Sequence, residues 1–295
     1  MMNAWLSRYT KLLVSVTFLL VIAGGLVTST RSGLAVPDWP LSYGKLMPPM
    51  VGGIRFEHSH RVVASLVGFM TLILTFWIGF TERRPWIRWA GITALGMIVA
   101  QGILGGLTVL YLLPAPISIT HGCLAQTFFA FVICLAYFTS SEWQKGFPVA
   151  LIDLTILKRI LFLTVTLIYL QLILGATFRH TGNQFVLIPH VVGAFLVLIH
   201  GGLVLMFVLR NLAAEKKFVW PAIFLSTIAL LQISLGMGAF IYSVMLKDSE
   251  MGPGLGKVFF VTAHQTLGAL LLGTAVFFAL RVYRIEKILG QHAKA

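Results

Sequence analysis

Eight long apolar runs constrain this chain more than any other feature. They extend approximately from Leu12 to Thr30, Val62 to Phe80, Trp89 to Leu110, Ile119 to Thr139, Ile160 to Phe178, Val191 to Leu209, Trp220 to Tyr242 and Val258 to Leu280. A helix needs about 20 mostly apolar residues to cross about 30 Å of hydrocarbon, because lipid offers no partner for an exposed backbone N–H or C=O. The expected fold is therefore an all-α integral membrane protein of eight transmembrane helices. Composition agrees: 58% of the 295 residues are hydrophobic and 11% are charged, where soluble domains carry roughly a quarter charged. A soluble enzyme, a disordered chain and a disulfide scaffold are all excluded, the last because there are only two cysteines.

The chain has 22 Lys and Arg against 9 Asp and Glu, a formal charge of +13. In a soluble protein that excess would point to nucleic acid; beside eight apolar runs it points to topology, since cytoplasmic loops retain Lys and Arg. Fifteen of the bases fall on one side of the spans and seven on the other. The richer side, with Arg8, Arg83, Arg284 and Lys287, holds both termini, which are expected to be cytoplasmic. No small-residue cleavage site follows the first run, so that run reads as an uncleaved anchor. Cys123 and Cys134 lie eleven residues apart on one expected helix, roughly 16 Å along its axis, too far to bridge; they read as packing residues.

The spans are a tandem repeat of four. The third contains Gln101-Gly102-Ile103-Leu104-Gly105-Gly106, the fifth Gln171-Leu172-Ile173-Leu174-Gly175-Ala176 and the seventh Gln232-Ile233-Ser234-Leu235-Gly236-Met237, with Ala23-Gly24-Gly25 at similar depth in the first. Thr30-Arg31-Ser32-Gly33 after the first span is echoed by Arg179-His180-Thr181-Gly182 after the fifth. The expected architecture is two tandem four-helix bundles, residues 1–145 and 146–295. The glycines are read as close helix packing; a flat cofactor resting on bare backbone would leave the same pattern. The copies differ in one place: a long outer loop, residues 31–61, joins the first two spans and has no counterpart in the second copy. Ordered loops of that length are usually functional.

Four histidines share one depth. His60, His121, His190 and His264 stand near the outer ends of the even-numbered spans, two per copy. Two imidazoles from facing helices bind opposite faces of one haem iron, so the expectation is one haem site from His60 and His121 and another from His190 and His264. Zinc fits less well, because two histidines without nearby Cys or carboxylates leave its tetrahedron unfilled. His180 falls in a short outer loop within reach of a haem edge. His200, His58 and the tail residue His292 carry no such assignment. Glu57 lies three residues before His60, about one helical turn, and the second copy has Leu187 there. A carboxylate at that depth is either a working acid or the partner of Arg55 or Arg61. Arg31, Arg61 and Arg179 are on the same side and could pair with haem propionates.

These elements resemble the heme A synthase family, in Glu57-His58-Ser59-His60-Arg61, Thr120-His121, Pro189-His190-Val191-Val192-Gly193, Ala263-His264-Gln265, Thr30-Arg31-Ser32-Gly33-Leu34 and Pro37-Asp38-Trp39-Pro40. The resemblance spans nearly the whole chain, and the order of the motifs over eight spans is its specific part. It implies a multi-pass protein of the cytoplasmic membrane with its haem sites toward the outer face. It further implies oxidation of the heme O methyl group to a formyl group, giving heme A for terminal oxidases. On that reading heme O is the substrate at His60 and His121, haem B is the cofactor at His190 and His264, and Glu57 is the catalytic acid. Partners besides lipid would be a heme O synthase and a quinone electron acceptor. Many bacterial members carry a cysteine pair flanking the Pro-Asp-Trp-Pro stretch; here Val36 and Ser42 stand in those places, so no thiol relay runs through this loop. The competing reading is a dihaem electron carrier or quinol oxidoreductase that leaves haem unmodified; Glu57 and the loop, confined to one copy, favour the synthase. A transporter would need polar residues at mid-membrane, where few besides the glutamines occur.

Overall fold

The computed structural model describes residues 4–147, 152–246 and 252–292, with side chains to residue 289. Lys247, Asp248, Glu250 and Lys294 of the charge count, and the His292 side chain, lie outside these. Among the described residues there are eight long helices: α1 (Ala4–Ser29), α2 (Ile54–Thr81), α3 (Pro85–Leu110), α4 (Ala115–Phe138), α6 (Thr155–Thr181), α7 (Gln184–Asn211), α8 (Lys216–Phe240) and α9 (Leu255–His292). A short α5 (Ser141–Lys145) follows α4, and α8 continues as a π-helical turn, Ile241–Met245. All eight long helices are long and apolar enough to span a bilayer.

Each helix starts earlier than its apolar run or ends later. At the site end, α2 and α7 begin eight and seven residues ahead of Val62 and Val191. Polar residues hid these turns from a hydropathy reading, but Glu57 and Arg61 pair at i,i+4 and keep the first turns of α2 helical. The long loop is accordingly shorter than residues 31–61 and gives way to helix at Ile54. Between α6 and α7 the connection is just Gly182 and Asn183. Gly182 is in the left-handed conformation with its amide bonded to the Phe178 carbonyl, and the Asn183 side chain accepts from the Phe185 amide to start α7. His180, expected in a loop, is therefore in the last turn of α6.

Packing divides the helices into two closed rings. In one, α1 meets α2, α2 meets α3, α3 meets α4 and α4 returns to α1; in the other, α6, α7, α8 and α9 do the same. Each ring has its own apolar centre, Leu13, Leu74, Ile78 and Leu135 in the first and Leu157, Val204, Phe218 and Phe278 in the second. The rings join where α1 and α4 lie against α9, and α4 against α6, sealed by Val21, Phe129 and Ala269. Large apolar side chains in mid-span point outward: Phe69, Phe162 and Phe195 are 61%, 70% and 53% exposed. On a soluble protein that surface would aggregate, whereas here it matches hydrocarbon.

The helix ends carrying most of the basic residues are tied by ion pairs. Arg281 of α9 donates to Glu142 of α5 at 2.6 Å, and Lys158 of α6 to Glu286 of α9 at 2.5 Å. Thr10 and Thr139 hydroxyls meet at 3.0 Å between α1 and α4. The histidines of interest occupy the opposite end.

Candidate haem sites

The four histidines are seated alike. Each ring rests on a glycine of the preceding long helix in its own bundle: a Cβ at Gly24, Gly105, Gly175 or Gly236 would stand 3.1, 3.3, 3.0 or 2.9 Å from Cε1 of His60, His121, His190 or His264. These are the glycines of the sequence repeat, and the structure gives them a specific use. They remove a side chain so that the Cε1 edge of an imidazole can approach a helix backbone. Neither close helix packing alone nor a cofactor on bare backbone accounts for all four.

Glutamines one turn from those glycines fasten the helices that carry the histidines. Gln101 donates to the His121 carbonyl at 2.9 Å, and Gln232 to the His264 carbonyl at 2.9 Å. Gln171 projects onto α7 at Gly193, where any Cβ would collide with its amide. In α1 the corresponding residue is Leu20, so His60 alone lacks this brace. His264 Nδ1 lies 3.1 Å from the Gln232 carbonyl oxygen; donation there fixes the tautomer and leaves Nε2 as the metal-facing nitrogen. Nδ1 of His60, His121 and His190 is also buried in the protein, with no hydrogen-bond partner.

The residues fit a haem iron. The His190 and His264 rings are 6.2 Å apart, centroid to centroid, and nearly perpendicular. A metal bound at about 2 Å by one nitrogen of each of two facing imidazoles separates the centroids by roughly 6 Å. The His60 and His121 rings rest on α1 and α3 of the first bundle. Among the described residues no three or more His, Cys, Asp or Glu converge to hold a metal.

The loop between α1 and α2 is built onto the first site. Glu57 is 3% exposed, and both its oxygens are engaged: Oε1 accepts from Arg61 at 2.6 Å and Oε2 from the Val36 amide at 2.8 Å. Arg61 Nη1 also donates to the Asp38 and Leu41 carbonyls, each at 2.7 Å, and Nη2 to the Val36 carbonyl at 3.3 Å. The pair thus pins the loop to α2, and the Arg61 guanidinium is committed to it. Asp38 accepts from the Gly44 and Tyr43 amides, which hold its carboxyl below the usual range and keep the turn charged at neutral pH. Val36 and Ser42 are both buried, and Ser42 Oγ is 2.9 Å from His58 Nδ1. Trp39 lies on α3 at Gly106, where a Cβ would come within 2.8 Å of its ring, beside the glycine that seats His121. The loop thereby reaches the His121 side of the first bundle.

Arg179 bridges the two bundles. From α6 it donates to Gln265 of α9, to Ser29 Oγ of α1 at 3.0 Å and to the Gly25 carbonyl at 3.4 Å. Arg31 is exposed, just past the end of α1, in the left-handed conformation. His180 is in the last turn of α6, which packs against α4, the helix that carries His121. His200 Nδ1 is 2.8 Å from the Leu196 carbonyl oxygen one turn back, an internal helix contact. Both cysteines are free thiols. The seating glycines and the bracing glutamines were visible in the sequence as Gln-x-x-x-Gly, but their partners were not.

Gly236→Val is expected to displace the His264 ring and to lower haem retained per protein at least tenfold, with the size-exclusion profile unchanged. Gly68→Ala, where nothing lies within 4 Å, should keep full occupancy. Soret absorbance of the two purified proteins reads the difference.

The profile of the family described as cytochrome oxidase assembly protein matches residues 54–196, which hold Glu57, His60, His121 and His190. The chain is 26% identical to Heme A synthase of Halalkalibacterium halodurans over 297 residues, covering 92% of this chain and 94% of that protein. It is 28% identical to Heme A synthase of Exiguobacterium sibiricum over 193 residues, 62% of either length, so this match spans less than two thirds of that relative. With Heme A synthase of Geobacillus kaustophilus it shares 30% identity over 168 residues, 55% of this chain and 52% of that protein. The order of motifs, the paired histidines and these matches make the chain similar to heme A synthases along most of its length.

Proposed function

We propose that the protein oxidises the methyl group of heme O to a formyl group, giving heme A for terminal oxidases. The observation that carries this reading is an asymmetry between two otherwise equivalent bundles. Both have a pair of histidines seated on glycines, but among the described residues only the His60–His121 bundle has a buried carboxylate and a loop locked to it. A carrier that merely passes electrons has no use for that addition.

His60 and His121 would take the iron of the heme O substrate, each imidazole held by its seat on α1 or α3. Glu57, one turn before His60, accepts a proton from the reacting methyl carbon or stabilises positive charge there. Arg61 and the Val36 amide hold that carboxylate in place, and Trp39 closes the side toward α3. Haem B at His190 and His264 would supply one-electron redox chemistry. Arg31, Arg61 and Arg179 are the bases on this side that could meet propionates. The orientation follows from the charge count: both termini in the cytoplasm and both sites toward the outer face of the cell membrane. Heme O synthase as supplier and a quinone as electron acceptor complete the reading.

Pigment analysis of the purified protein tests it. Coexpressed with a source of heme O, the protein should yield heme O or heme A together with haem B. Haem B in both sites, with no heme A formed, would establish the dihaem carrier instead.

A further inference from the structure

The end of the molecule away from the histidines has a cavity of about 710 Å3 between the first bundle and α9. Its wall is a cluster of three aromatic rings, Trp86, Phe138 and Trp143, with centroids 4.9, 4.7 and 6.0 Å apart. Four cations line it against one carboxylate: Arg83, Arg84, Arg284 and Lys287 against Glu82. Two of the cations are held in place. Arg84 lies over Trp86 and donates to Glu82 at 2.6 Å, and Arg284 lies over Trp143 and donates to its carbonyl at 2.8 Å. The Arg84 hydrogen bond holds the Glu82 carboxyl below its usual range, so Glu82 stays charged and offsets Arg84. Arg83 and Lys287 are exposed, and no partner is found for either among the described residues. A rigid aromatic wall, a guanidinium fixed over it and two unengaged cations at its mouth make a cup for an anion.

We propose that this cavity binds the phosphate of an anionic phospholipid headgroup. The cavity opens where helix ends meet water on the base-rich face, the depth at which lipid phosphates lie. Tryptophan and tyrosine favour that level because their rings are part apolar and part polar, and Tyr283 adds a further ring to the lining. Guanidinium groups offer paired donors to phosphate oxygens. The chemistry is that of a phosphate anion, which a lipid or free phosphate could supply; the apolar part of the lining, Leu6, Phe138 and Leu280, favours the lipid.

Native mass spectrometry of the full-length protein in detergent tests this, titrating phosphatidylglycerol, phosphatidylcholine and inorganic phosphate. Phosphatidylglycerol should bind at least tenfold more tightly than phosphatidylcholine. R83A/K287A, two exposed changes, should weaken it about 30-fold from the loss of two surface cations. R210A/K216A removes the same charge from the same face outside the cavity and should leave binding within about twofold. Equal binding of the two lipids, equal weakening by both double variants, or unchanged binding in R83A/K287A would overturn the site. Inorganic phosphate binding as tightly as the lipid would overturn the lipid as its occupant.

Discussion

Glu57→Gln is expected to lower heme A formation about 100-fold or more, the usual contribution of a positioned acid or base, while haem stays bound between His190 and His264. The carboxylate has two possible contributions, and the geometry allows them to be separated. Its oxygens hold the Val36 amide and Arg61, so part of any loss could come from a loosened loop. Glutamine is isosteric, and its one carbonyl oxygen can still accept from either donor. Arg61→Gln removes the clamp on the Asp38 and Leu41 carbonyls but leaves the carboxylate. It strands a buried charge, at a cost of about 3 to 5 kcal/mol, and should expose the loop to protease. If Glu57 acts at the methyl carbon, Glu57→Gln is the slower enzyme with the better ordered loop. Equal activity losses that track loop cleavage in both variants would reduce Glu57 to an anchor.

Much of this was legible in the sequence because the bilayer imposes a strong pattern. Hydrocarbon demands long apolar helices, so all eight were found, and duplication made the histidines visible as a set when each alone would have looked ordinary. The helix starts were missed because hydropathy reports where a helix meets lipid, not where a helix begins. The first two turns of α2 carry Arg55, Glu57 and His58, and so were assigned to the loop. The use of Gly24, Gly105, Gly175 and Gly236 depends on a neighbouring helix and cannot be read along one strand of sequence. The same holds for Arg61, which the sequence left beside Arg55 as one possible partner of Glu57, with no sign of the three loop carbonyls it also reaches.

His264→Ala should release haem from the second bundle, lowering its affinity by at least about 100-fold, because even outer-shell partners of metal ligands typically contribute 10- to 100-fold. The ring it removes faces His190 at 6.2 Å and is oriented through Nδ1 by the Gln232 carbonyl. Added imidazole should refill the vacated position and restore the two-imidazole absorption spectrum, a rescue that a purely structural defect would not show. His121→Ala should leave that spectrum intact and abolish heme O binding instead. The contrast is sharp because each ring of helices has its own core. Arg179 is where the separation is most exposed to failure, since it ties α6 to α1 and to the residue after His264. If His264→Ala and His121→Ala lose the same pigment, the division into a substrate bundle and a cofactor bundle is wrong, and the two sites work as one.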